Sequence, residues 1–243
     1  MILDIYKDSL EYSAQDWKRL VMLGIIAFFS FLFFPVFLIT GYYYRVINTA
    51  VHGIINGRDS LPDFDNVVEM FVDGVKLVIV QIVYLIIPTL IFIVFLILAT
   101  KASATLSYAL LIIGSFIAFV VGILACLMSQ MGICHMAYND GAFSKAFAVK
   151  EIKKAIDEIG WFRCIVTYLG IVIIVVDISL VVTGLITLIF SVFGISGAIL
   201  GLDATGIFVL CGIINYLVSM FIVGPYLSIF SCRSMGLLYT MQI

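Results

Sequence analysis

LVIVQIVYLIIPTLIFIVFLILAT, residues 77–100, carries no charged side chain over 24 positions. A helix rises 1.5 Å per residue, so about 20 apolar residues cross the hydrocarbon layer of a bilayer. This stretch is long enough. Four further runs match it, at residues 20–44, 108–136, 164–190 and 206–232. Between them lie two longer polar stretches, 46–76 and 137–160. The connections 101–107 (KASATLS) and 191–205 (SVFGISGAILGLDAT) read as turns. Residues 77–136 and 164–232 are therefore predicted to form helical hairpins.

Composition agrees. Of 243 residues, 64% are hydrophobic and 12% charged, with a mean hydropathy of +1.24. A soluble domain has about 25% charged residues, so this chain cannot clothe a soluble surface of its size. A net charge of -2 offers no basic field for a phosphate backbone, so nucleic acid is not an expected partner. The five cysteines, Cys126, Cys134, Cys164, Cys211 and Cys232, lie in or beside apolar runs without a CxxC pair. They read as small buried hydrophobes, and no cofactor or metal is expected.

The first run has two readings. Pro35 removes a backbone donor, so 20–44 is either one kinked crossing or part of a re-entrant hairpin turning near Pro35. No polar turn residue marks such a tip. Charge separates the two readings. With five crossings, nine of the 13 Lys and Arg share one side. With a re-entrant first hairpin, twelve share it and Lys101 alone faces the other. The positive-inside bias favours re-entry. Both readings place 46–76, 137–160 and the C-terminus in the cytoplasm; the side of the N-terminus differs.

Residues 1–19 lack the basic start and small-residue cleavage site of a secretory leader. Retention of the whole chain is expected. Ile2, Ile5, Tyr6, Leu10, Trp17 and Leu20 suggest an amphipathic helix at the membrane surface. Three runs open similarly, at Asp16-Trp17-Lys18-Arg19, Asp73-Gly74-Val75-Lys76 and Gly160-Trp161-Phe162-Arg163, as three repeated hairpins would.

Two segments carry a family resemblance. PVFLITGYYYRVINTAVHGIINGRDSLPDFDNVVEMFVDGVK spans 35–76, and MAYNDGAFSKAFAVKEIKKAIDEIGWF spans 136–162. The marks are the GYxxR ending the first run, the LPxFD turn, the DGxK before the second run and the GxFxxAF opening the second loop. Together the segments resemble an uncharacterised family of polytopic membrane proteins common in archaea, domain of unknown function 4013. The resemblance implies a multi-helix membrane protein and supplies no activity or catalytic residue.

The polar residues each have a structural and a functional reading. In the LPxFD turn, Asp63 or Asp65 is expected to cap a helix over 66–75. A calcium reading lacks the DxDxDG pattern. Over 143–159, Phe143, Phe147, Ile152, Ala155, Ile156 and Ile159 follow helical spacing opposite Lys145, Lys150, Lys153 and Lys154. That pattern suits an amphipathic helix on the cytoplasmic leaflet.

Asp177 is the one carboxylate within a confident crossing. Burying its charge costs at least about 2.5–3.5 kcal/mol, so it is expected inside the bundle. There it is either a protonatable transport site or a protonated partner of Asn215 or Gln81. A third reading breaks the 161–200 run near Asp177, where the acid meets water. Asn215 itself reads as glue between helices. Arg45, His135 and Arg233 end apolar runs. They either snorkel separately or form one anion-holding cluster at the cytoplasmic mouth.

No GxSxG, HExxH, P-loop or paired carboxylates within a span occur, so no enzyme is expected. The expected fold is an all-α polytopic transmembrane helix bundle over residues 1–243, of five crossings or three hairpins, with interfacial amphipathic helices. The expected function is that of a non-enzymatic organiser in the cell membrane. Its partners would be the lipid bilayer and another membrane protein or a second copy. The alternative is a small-solute or ion transporter using Asp177 and helix breaks at Pro35, Pro88 and Pro225.

Overall fold

The protein is described here from a computed structural model covering residues 2–57, 59–199 and 204–242. Its α-helices are α1 (Ile2–Ser13), α2 (Trp17–Phe28), α3 (Phe34–Val51), α4 (Val67–Thr100), α5 (Ala104–Tyr138), α6 (Val149–Ile159), α7 (Trp161–Ile199), α8 (Ala204–Val218) and α9 (Gly224–Tyr239). No strand occurs among the described residues. Short 3-10 turns cover Phe29–Leu32 and Phe143–Phe147, and one π turn, Ser219–Val223, joins α8 to α9.

Among the described residues, four helical rods are long and apolar enough to cross a membrane: Val67–Thr100, Ala104–Tyr138, Trp161–Ile195 and Thr205–Tyr239. The last contains the π turn. The expected helix over 66–75 is not separate but forms the first turns of α4, and the chain stays helical through Pro88. The expected turn over 191–205 begins later, because α7 continues to Ile199. Its remainder includes residues outside those described.

The first apolar run is not a single kinked crossing. Helix α2 ends at Phe28, a 3-10 turn follows, and Phe33 takes φ 62. Pro35 then sits in the first turn of α3, where its fixed φ and missing N–H suit a helix start. At 12 residues, α2 is about 18 Å long, well short of the ~30 Å hydrocarbon thickness. Its tip is aromatic: Phe31, Phe33 and Phe34 are all exposed. A tip facing lipid needs apolar side chains and local backbone bonds. The N–H of Phe33 donates to Ser30 and that of Val36 to Phe33. This is why polar turn residues are missing.

Small residues bring α3 and α4 together. A Cβ on Gly41 would strike the backbone carbonyl of Met70, and one on Gly74 that of Phe37. Two glycines on facing helices thus let the backbones touch, the usual way helices associate in lipid.

The core is at one end of the rods. Tyr44, Leu127, Met131, Ile152, Ile156 and Leu238 are buried there. Further along the rods, Ile87, Leu90, Phe116, Phe119, Leu180 and Leu188 are exposed. Lipid is as apolar as a leucine side chain, so nothing drives these faces inward.

Residues 1–19 form two helices rather than one. Asp16 caps α2, its carboxylate accepting from the N–H groups of Lys18 (2.9 Å) and Arg19 (3.3 Å). The apolar face of α1 packs on protein, with Ile5 and Tyr12 buried. Hydroxyls fix it in place: Tyr6 donates to Thr167 at 2.9 Å, Tyr12 to Ser60 at 3.1 Å, and Tyr226 to Leu10 at 3.1 Å. The face of α6 likewise turns inward, with Ile152 and Ile156 fully buried, while Lys150, Lys153 and Lys154 are exposed.

Two of the three similar run openings make the same contact. Arg19 pairs with Asp16 at 3.2 Å, and Lys76 with Asp73 at 2.9 Å. In the third, the indole N–H of Trp161 donates to Asp157 at 2.6 Å.

Candidate functional site

The candidate cationic residues each meet a different acid. Arg45, on α3, reaches the LPxFD turn. Its Nη1 lies 2.6 Å from Asp65 Oδ1 and donates to the Asp63 carbonyl at 2.9 Å. Arg19 crosses to the same turn, pairing with Asp63 at 2.6 Å and donating to the Leu61 carbonyl. Asp63 and Asp65 therefore clamp arginines and do not cap α4. Asn66, in the left-handed region at φ 43, precedes that helix instead.

His135, near the end of α5, lies between Glu151 and Tyr239. Its Nε2 is 3.0 Å from the Glu151 carboxylate, and its Nδ1 faces the Tyr239 hydroxyl. With Nε2–H donating to the carboxylate, Nδ1 accepts from the phenol. Lys145 Nζ also reaches Glu151, at 2.7 Å. The Lys145 ammonium and then the His135 ring hold the Glu151 carboxyl below the usual glutamate value.

Arg233 is completely buried. Its Nε donates to Asp8 Oδ1 at 3.0 Å, and its guanidinium lies 4.5 Å from the Tyr12 ring centroid. Nη2 is 2.8 Å from Asp59 Oδ2, an ion contact without the direction of a hydrogen bond. The other Asp8 oxygen accepts from the Asn56 N–H at 2.6 Å. Burial pushes the Tyr12 phenol up to about 12. A buried guanidinium demands paired acids, and here the first helix and the 52–60 loop supply them. No hydrogen bond or ion pair joins Arg45, His135 and Arg233 among the described residues. The cluster considered from sequence is three separate centres at one end of the bundle.

The intramembrane candidates also separate. Asp177 is exposed on the outside of α7, not inside the bundle as expected. Helix α7 runs unbroken past it. Asn215 lies 3.4 Å from Thr187 Oγ1, a weak link from α8 to α7, and 3.5 Å from Cys211 Sγ. Its partner is thus Thr187 and not Asp177.

The site that sequence reading missed is a groove of about 510 Å³ between α3, α5, α7, the π turn and α9. Its walls are mainly Ile171, Val175, Val176, Val223, Leu227 and Met235. Tyr43, Gln130, Ser179, Ser219, Ser228 and Ser231 add scattered polar atoms. Ser179 and Ser231 donate to the carbonyls four residues earlier, Val175 at 2.7 Å and Leu227 at 2.8 Å. Their protons are thus spent within their own helices. Val172, Val176 and Gly224 are exposed, so the groove opens at the surface. A smaller cavity of about 140 Å³ adjoins it through Gln130 and Tyr168, and also meets Gln81 and Ser129. In the structure, the π turn marks the groove. It precedes Pro225, and such turns gather at functional sites.

Among the described residues, the groove's lining includes no carboxylate, histidine, lysine or arginine. Its size falls in the range of about 300–1,000 Å³ typical of small-molecule sites.

"Uncharacterized protein MJ1189" of Methanocaldococcus jannaschii is 30% identical over 229 residues, covering 88% of this chain and 73% of that protein. No solved structure matches the chain. The model of a family described as "Protein of unknown function (DUF4013)" matches residues 24–191, most of the length, and the chain belongs to that family.

Proposed function

We propose that the protein is a non-enzymatic membrane organiser that holds a lipid chain in the groove between α3, α5, α7 and α9. The observation that carries this reading is the groove itself: apolar, open at the surface, and lined mostly from two of the four rods long and apolar enough to cross a membrane. An acyl or isoprenoid chain matches such walls because every CH₂ removed from water contributes about 0.8 kcal/mol. The Ser179 and Ser231 hydroxyls, already bonded to their own helices, make small demands on the ligand.

In this reading the multi-pass body lies in the cell membrane. The polar end, with the 52–66 connection, α6 and the C-terminus, faces the cytoplasm. Exposed Lys150, Lys153 and Lys154 favour anionic lipid there, at about 1 kcal/mol each before the nearby acids are counted. The transport alternative has less support, because Asp177 is outside the groove.

The test is native mass spectrometry with lipid extraction on the detergent-purified protein. The parent should retain a stoichiometric lipid. Val175→Trp and Ser228→Trp, which fill the groove, should each lose it. Val181→Trp, on the exposed face of α7, should keep it. A parent without bound lipid, or equal retention by all three variants, would overturn the reading.

A further inference from the structure

A second cavity, of about 610 Å³, lies at the polar end between α3, the LPxFD turn, the start of α4 and the turn after α5. It is distinct from the lipid groove and lined largely by charge. Five carboxylates face it, with Arg45, Lys76 and the His52 imidazole.

Most of this charge is matched. Asp63 is held by Arg19 at 2.6 Å, Asp65 by Arg45 at 2.6 Å, and Asp73 by Lys76 at 2.9 Å. Glu69 and Asp140 have no such partner among the described residues. The backbone fixes where Asp140 stands. It has φ 53 and is followed by Gly141 at φ 74, with the Gly141 N–H closing onto the Met136 carbonyl at 3.0 Å. This left-handed pair ends α5 and carries the carboxylate to the cavity rim. Glu69 lines the same cavity from the first turn of α4.

Tyr44 supplies an independent observation. It is 94% buried, lines the cavity, and its hydroxyl has no hydrogen-bond partner among the described residues. That hydroxyl lies 3.1 Å from where a Cβ on Gly141 would stand, so it points at the rim that carries Asp140. A phenol oxygen so placed, beside the rim that carries the uncompensated Asp140, offers an acceptor to an N–H donor.

We infer that this cavity binds an organic dication, a linear di- or oligoamine, with Glu69 and Asp140 countering its charges and Tyr44 accepting from one ammonium. Two uncompensated negative charges select a cation, and two ammonium groups match them. The cavity is far larger than a bare ion. Among the described residues, no three ligating side chains converge as a metal ion needs. Both carboxylates are exposed, so attraction is screened by salt, and hydrogen bonds must contribute the selectivity.

The experiment is isothermal titration of full-length protein in detergent with spermidine and putrescine, and with Mg²⁺ and K⁺ at matched ionic strength. Saturable one-to-one binding of the amines is expected, with no comparable heat from either metal ion. Glu69→Gln and Asp140→Asn should each weaken the dissociation constant at least about tenfold. Tyr44→Phe should weaken it several-fold while leaving lipid retention intact. Equal binding of Mg²⁺, no amine binding at millimolar concentration, or an unaltered constant in the Glu69→Gln/Asp140→Asn double variant would each overturn the inference. Because the groove is read by lipid retention, failure of either site is seen without the other.

Discussion

The guanidinium of Arg233 and the carboxylate of Asp8, 225 positions apart in sequence, meet at 3.0 Å with both side chains at least 95% buried. This contact sets α1 and the C-terminal helix at the same end of the bundle. An odd number of full crossings would separate the termini, so the contact belongs with a first hairpin that turns back.

Asp8→Ala removes the directed partner of a buried charge. Breaking such a pair from one side costs about 3–5 kcal/mol. Unfolding in mixed micelles should show a loss of this order. Replacing Arg233, Asp8 and Asp59 together by apolar residues of similar size should cost much less. Equal losses in the two variants would show that volume, and not charge, dominates the site.

Gly74→Ala places a methyl against the Phe37 carbonyl. Overpacking typically costs about 1–3 kcal/mol. The midpoint should fall, and cysteines introduced across α3 and α4 should cross-link more slowly. Gly184→Ala, where no heavy atom lies within 4 Å of the new carbon, should leave both unchanged.

The Glu151 carboxyl titrates below its ordinary value of 4.5, because Lys145 and His135 bond to its charged form. A depressed carboxyl contributes stability that is present above the ordinary value and lost as pH falls through the lower folded one. Glu151→Gln should therefore lower stability at neutral pH and flatten its decline below pH 4.5. An unchanged acid limb in this variant would show that another group governs it.

Asp177→Leu removes a carboxylate from the exposed surface of α7. On insertion scales a central acid costs about 2.5–3.5 kcal/mol. The variant should insert and purify at least as well as the parent and retain the same lipid. Loss of insertion or of lipid would instead give Asp177 a role that its exposed position does not suggest.

How much was legible in sequence follows the range of the forces. The four long rods could be read from apolar length alone. Re-entry was favoured by charge, since twelve of 13 basic residues then share a side. The groove could not be read, because its serines and valines on separate helices are about forty to sixty positions apart. Asp177 misled for a related reason. A lone acid in an apolar run indicates depth along the helix, and only its neighbours decide the direction it faces.

By itself the sequence determined that this protein is helical and multi-pass, because segments this apolar cannot leave lipid and cannot leave their backbone groups unpaired within it. Only the tertiary structure decided which acid meets which base. Arg45, His135 and Arg233 end apolar runs alike, yet they find Asp65, Glu151 and Asp8. Ion pairing acts over a few ångströms in space, and sequence separation does not set that distance.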